Sequence, residues 1–263
     1  VLGSLMINTD ILLIGYFLSA KEVGLYSAAD RIVQFLYLLP AILATSVFPT
    51  LSRLANKNQE RIKGVVEKIL SMAYLISLPI VLGGIVLGGD MIRVIFGGAY
   101  AGSVLPLRIL FATLSINFAA VIMSNIIFAY DRQRDLVKFA ALGGLSNVVF
   151  DLILIPRFGI SGSAVATFFA QVIANIYIWN KARKLVDFSV LPKLKKIVMA
   201  SAVMAIIIFG LHRVGLNLFV NIGVGMTLYF GLLYLMKESL LKNLRAILRG
   251  NVLDEPINNE PVA

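Results

Sequence analysis

Long apolar runs broken by short polar segments dominate this chain. A helix that crosses a bilayer needs about 20 mostly apolar residues. Eight such stretches can be read, at roughly 1–18, 24–50, 66–88, 103–129, 137–156, 160–180, 196–212 and 215–236. The breaks between them make chemical sense. Asp131-Arg132-Gln133-Arg134-Asp135 is too polar for hydrocarbon, and Pro156-Arg157-Phe158-Gly159 carries turn punctuation. The segment from Leu51 to Glu67 mixes Arg53, Lys57, Glu60, Arg61 and Lys63 with apolar residues and predicts an amphipathic connector on the membrane surface. The pattern predicts an all-α, polytopic membrane helical bundle of about eight transmembrane helices.

Composition agrees. Of 263 residues, 59% are hydrophobic and 14% charged, against about 25% charged in an ordinary soluble domain. The mean hydropathy is +0.89, and one water-soluble core could not hide that much apolar surface. The net charge of +10 raises the question of nucleic acid, which its distribution answers. With residue 1 placed inside, 18 of the 24 Lys and Arg residues fall on inner loops and the tail. Four (Lys21, Arg93, Arg157 and Arg213) fall on outer loops, and Arg31 and Arg108 lie within spans. That is the positive-inside asymmetry. It predicts a multi-pass protein of the cytoplasmic membrane with both ends of this segment cytoplasmic, and no nucleic-acid partner. The absence of Cys excludes disulfides and thiolate metal sites, and with His212 as the sole histidine no metal site is expected. The chain opens on Val1 inside an apolar run and reads as a piece of a longer protein. Residues 237–263 read as a polar, Pro-containing tail, partly disordered.

Ionisable groups inside spans are costly and therefore candidates for function. Asp10 lies in the first span, Asp30 and Arg31 in the second, Arg108 in the fourth and Asp151 in the fifth. Counting from the span ends puts Asp10 and Arg31 at one depth, where an ion pair would either bind substrate or a coupling ion or hold two helices together. Arg108 and Asp151 each sit five residues from an outer span end. For Arg108 the alternative to function is snorkelling to the interface, and for Asp151 an interfacial position beside Pro156.

The sixth span carries Gly162, Ala166, Ala170 and Ala174, a small-residue ridge for close packing. Beside it runs a polar row of Ser163, Thr167, Gln171 and Asn175. Gly143, Asn147 and Asp151 repeat the theme in the fifth span, Asp30, Gln34 and Tyr37 in the second, and Asn117, Ser124 and Asn125 in the fourth. Polar stripes on several helices fit a bundle around a hydrated interior, with interhelical hydrogen bonding as the competing account. The candidate substrate- or ion-binding residues are thus Arg31, Asp10, Asp30, Gln34, Arg108, Asn147, Asp151, Gln171 and Asn175. The last two spans hold few polar groups and read as lipid-facing and peripheral. Gly97-Gly98 lacks the Gly-Lys-Ser/Thr ending of a phosphate loop, and no catalytic constellation stands out, so an enzyme is not expected.

The run Asp10 to Leu18 followed by Glu22 to Ala29 resembles the seventh and eighth helices of the O-antigen and polysaccharide flippases. These belong to the multidrug/oligosaccharidyl-lipid/polysaccharide exporter superfamily. Phe48-Pro49-Thr50-Leu51-Ser52-Arg53, Val94 to Tyr100, and Asn147 through Ile155-Pro156-Arg157-Phe158-Gly159 to Ala164 extend the likeness in order over about residues 8–184. The resemblance implies a second six-helix lobe over 1–184, two additional transmembrane helices over 185–236 and a cytoplasmic tail over 237–263, with an N-terminal lobe missing. It implies flipping of an undecaprenyl-pyrophosphate-linked oligosaccharide by alternating access, coupled to a proton or sodium gradient. It also implies Arg31, then Arg108, as cations meeting the pyrophosphate, and terminal helices suited to the lipid tail. Alternatives within the superfamily are a lipid II flippase and a multidrug cation antiporter. A membrane glycosyltransferase or ligase of the same pathway is the alternative from another class.

Overall fold

A computed structural model describes residues 9–238 and 240. Residues 1–8 of the first expected span and almost all of the expected tail lie outside the described residues. The described elements are all helical: α1 (Thr9–Phe17), α2 (Ala20–Leu36), α3 (Leu38–Leu54), α4 (Gln59–Phe96), a 3₁₀ turn (Gly98–Ser103), α5 (Val104–Ala129), α6 (Gln133–Leu185), α7 (Leu191–Arg213) and α8 (Leu218–Leu235). Six helical stretches are long and apolar enough to cross a membrane: α2 with α3, α4, the 3₁₀ turn with α5, α6, α7 and α8.

Within α6 lie two crossings. At Gly159 the backbone takes φ 59° and ψ −143°, a region open to glycine and strained for other residues. The arms 133–158 and 160–185 fold back on each other. Lys181 meets Asp135 at 3.2 Å, a Cβ on Gly143 would lie 3.4 Å from that of Ala174, and one on Gly162 would lie 2.3 Å from the Leu154 carbonyl oxygen. The expected turn at 156–159 is therefore where the chain reverses. Counted this way, the architecture approximates the eight-span expectation.

Proline positions explain two further features. Pro40 has no N–H to offer the Leu36 carbonyl four residues earlier, and the second span breaks there, with Tyr37 between α2 and α3. Pro79 likewise frees the Leu75 carbonyl within α4. The Tyr229 hydroxyl of α8 donates to that oxygen at 2.7 Å, so the terminal helix repairs a gap in the long one. Tyr229→Phe is expected to lower stability by about 1–3 kcal/mol, the cost of a buried unpaired carbonyl. Thermal unfolding in detergent reads this out, and an unchanged midpoint would refute it.

The segment Leu51–Glu67 is not a separate surface connector. α3 runs to Leu54, and α4 begins at Gln59 behind the Asn58 cap, whose side chain accepts from Arg61 N at 2.9 Å. At 38 residues, α4 is about 57 Å long, well beyond a hydrocarbon thickness of about 30 Å, and its charged first turns extend the span instead of lying across it. Glu67, buried on α4, accepts from Lys193 Nζ at 2.6 Å and from Ser189 N at 2.8 Å. His212 Nδ1 lies 2.9 Å from Asp90 Oδ2 at the opposite ends of α7 and α4. α5 is the central helix, packed on α2, α3, α4 and α6, with Leu107, Leu114, Phe118 and Ile126 fully buried.

Candidate functional site

Among the described residues, two cavities between the helices have linings that differ in kind. The first, about 450 Å³, lies among α4, α5, α7 and α8 and is walled by apolar groups including Pro79, Gly83, Phe111, Met204 and Met226. The terminal helices, expected to be lipid-facing and peripheral, thus also wall a cavity. The second, about 460 Å³, is bounded by α1, α2, α5 and both arms of α6. Its polar lining comprises Asp10, Tyr26, Asp30, Gln34, Tyr37, Asn117, Asn147, Thr167, Gln171 and Asn175.

The helical repeat explains this convergence. On α2 and its C-terminal turn, Tyr26, Asp30, Val33, Gln34 and Tyr37 recur every three or four residues and form one stripe. On the second arm of α6, Thr167, Gln171 and Asn175 do the same. Four-residue steps rise about 6 Å along the axis, so these groups form a column.

Asp10 is at the head of the column. Its Oδ2 accepts from Tyr26 Oη at 2.7 Å and lies 2.9 Å from Thr167 Oγ1. The Thr167 hydroxyl also lies 3.0 Å from the Ser163 carbonyl, and its single proton serves one of the two. Asp151 is fully buried; Asn147 Nδ2 donates to its Oδ2 at 3.3 Å. Asp151 is also within interaction range of both Asp10 and Ser163. Three oxygens here are buried without a hydrogen-bond partner: Asp10 Oδ1, Asp151 Oδ1 and Ser163 Oγ. Neighbouring buried carboxylates repel unless something positive lies between them. A shared proton or a small hard cation is what such an oxygen set takes. No group of three or more His, Cys, Asp or Glu that could hold a metal ion occurs among the described residues. The unpartnered oxygens gathered here come from two carboxylates and a hydroxyl.

Lower in the column, Gln34 Nε2 donates to Asp30 Oδ2 at 2.5 Å. Tyr37 Oη accepts from Asn117 Nδ2 at 2.6 Å and lies 3.2 Å from Thr113 Oγ1. Asn175 Nδ2 donates to the Gln171 carbonyl at 2.8 Å.

Seven of the nine residues singled out in the sequence meet in or against this cavity: Asp10, Asp30, Gln34, Asn147, Asp151, Gln171 and Asn175. The two arginines do not. Arg31 is exposed and one position off the α2 stripe, a rotation of about 100°. The expected Asp10–Arg31 ion pair is replaced by the Tyr26 and Thr167 contacts, and Asp10 forms no ion pair among the described residues. Arg108 is also exposed, its stem beside Gly88. Asp151, for which an interfacial position was one expectation, is instead in the interior, because the second arm of α6 covers it. Tyr26 was not foreseen; its position four residues before Asp30 was the available signal.

The described residues thus form a helical bundle of membrane-crossing length and apolarity with a polar-lined cavity between its helices. Residues 1–105 match the family described as polysaccharide biosynthesis protein. The chain is 27% identical over 245 residues to Agl15 of Haloferax volcanii, named as a probable low-salt glycan biosynthesis flippase, covering 89% of this chain and 52% of that protein. AglR of the same organism, named as a probable flippase, is 24% identical over 207 residues, covering 76% and 43%. In three dimensions the chain resembles the lipid II flippase MurJ in an inward closed conformation, with a TM-score of 0.76, 20% identity, and coverage of 92% of this chain and 52% of that one. The resemblance to polysaccharide flippases read from the sequence is borne out. The chain spans about half the length of the curated relatives it matches.

Proposed function

We propose that this chain forms the second of two lobes of a transporter that moves a lipid-linked oligosaccharide from the inner to the outer leaflet by alternating access. One observation carries the reading: a column of carboxylates, amides and phenols lining one cavity of a largely apolar bundle, next to relatives named as flippases. Asp10, Asp151, Asn147, Thr167 and Ser163 would receive the coupling proton or sodium ion as co-substrate, since the unpaired oxygens of Asp10, Asp151 and Ser163 call for a positive partner. Arg31, exposed and next in sequence to the cavity-lining Asp30, would meet the pyrophosphate outside the cavity, with Arg108 as a second cation. The apolar cavity beneath α7 and α8 suits the polyprenyl tail. Both ends of the segment would lie in the cytoplasm, a reading that the charge asymmetry supports.

The test is reconstitution of the full-length protein in proteoliposomes with a fluorescent polyprenyl-pyrophosphate oligosaccharide under an imposed proton or sodium gradient. Gradient-dependent movement between leaflets is expected, and Arg31→Gln should slow it about tenfold or more, as for a lost charge-assisted contact. An anionic lining also suits an organic-cation exporter, so tetraphenylphosphonium is the control substrate. Movement of that cation but not of the lipid would overturn the reading.

A further inference from the structure

The two ends of the polar column differ in charge, and that difference divides the labour of recognition. Asp10 and Asp30 are the only charged residues lining the cavity; no Lys or Arg lines it among the described residues. A pyrophosphate inside would face like charge between apolar helices, where repulsion is stronger than in water. Past Asp30, toward the Leu185 end of α6, the lining becomes neutral and rich in hydrogen-bonding groups: Tyr37, Asn117, Gln171 and Asn175, with Phe139 as an apolar neighbour.

Hydrogen-bond accounting shows what this neutral wall lacks. The Thr113 hydroxyl donates to the Leu110 carbonyl at 2.6 Å, so the Tyr37–Thr113 contact uses the Tyr37 proton. Asn117 Nδ2 is directed at Tyr37 Oη, and Asn175 Nδ2 at the Gln171 backbone. The side-chain oxygen of Gln171 is buried with no partner, an amide acceptor lacking a donor at the edge of a cavity of about 460 Å³. That volume falls within the roughly 300–1,000 Å³ of small-ligand sites.

We infer that Gln171, with Tyr37, Asn117 and Asn175, forms a subsite for the hydroxyls of an uncharged sugar, so that this lobe reads the glycan while the pyrophosphate is held outside the cavity. The inference rests on the proposed function and extends it to a substrate part and a determining residue. Sugar hydroxyls both donate and accept, as this wall requires: a donor for Gln171 Oε1 and acceptors for the remaining amide protons. Phe139 offers a surface to the C–H face of a ring. A buried acceptor that a hydroxyl satisfies discriminates strongly against ligands without one.

The experiment compares two probes on the full-length protein in lipid nanodiscs: undecaprenyl pyrophosphate bearing no sugar, and the same lipid bearing a short neutral oligosaccharide. Native mass spectrometry measures the affinity of each. The unmodified protein should favour the glycosylated lipid, and Gln171→Met should remove about tenfold of that preference with bare-lipid affinity unchanged. Asn117→Leu should act in the same direction and carries the test if Gln171→Met fails to fold. Equal losses for both lipids, or a preference that survives both substitutions, would overturn the inference while leaving the proposed function standing. Failure of the unmodified protein to bind either lipid would overturn both.

Discussion

Asp151→Asn in the full-length protein is expected to reduce gradient-driven transport by about 10- to 100-fold, the range seen when a cation site loses a ligand or its support. The protein should still reach the membrane. Asp151 has no solvent exposure, so it gains nothing from water, and its Oδ1 has no donor. Such a group is costly to keep unless a proton or cation occupies the site in part of a working cycle. Replacing one buried carboxylate by its amide relieves repulsion from Asp10, so thermal stability should hold or rise. Asp10→Asn should produce the same defect, and the double substitution should be little worse than either single one, because residues acting as a unit are non-additive. Proteoliposome assays under separate proton and sodium gradients would measure this. Full transport by Asp151→Asn under both gradients would remove the cation site from the mechanism.

Gly162→Val should prevent the second arm of α6 from docking on the first. A Cβ at this position would lie 2.3 Å from the Leu154 carbonyl oxygen and 2.6 Å from its carbon, far inside contact distance, and the obstacle is backbone that no rotamer change can move. Overpacking in a core costs about 1–3 kcal/mol and more where nothing yields; a branched side chain against a carbonyl belongs at the upper end. The arms also carry Asn147, Asp151, Thr167 and Gln171, so separating them dismantles the site. The expected result is aggregation or a strongly lowered unfolding temperature on size-exclusion chromatography and thermal scanning. Gly24→Ala, where a Cβ meets nothing within 4 Å, is the matched control and should behave as the unmodified protein. A monodisperse, thermally unchanged Gly162→Val protein would contradict the hairpin packing.

The spans, the reversal at Pro156–Gly159 and the four-residue polar rows were legible in the sequence because each depends on local spacing alone. Depth was legible as well: Asp10 and the middle of α2 do lie near each other. Rotation about the helix axis was not. A single residue step turns a side chain by about 100°, and nothing local decides whether Tyr26 or Arg31 faces α1. Asp151 was misjudged as a possible interfacial group for a related reason. Its distance from the end of its span suggested an interface, but burial there is conferred by Ser163 and its neighbours, twelve residues later in sequence and folded back. The break at Tyr37 had a legible cause in Pro40, since a missing donor four residues downstream is a local fact. The Leu75 carbonyl was legible as unpaired, but not the identity of its rescuer, because Tyr229 lies 154 residues away.

α4 and α7 run side by side in the same direction, joined near their starts by Glu67 to Lys193 and Ser189 and near their ends by Asp90 to His212. Tyr229 of α8 is fastened to α4 between those points. Three fastenings at different heights on one rod oppose sliding or swivelling of the terminal pair. A tilt of α4 is therefore expected to carry the outer helices with it, as an outrigger of the lobe.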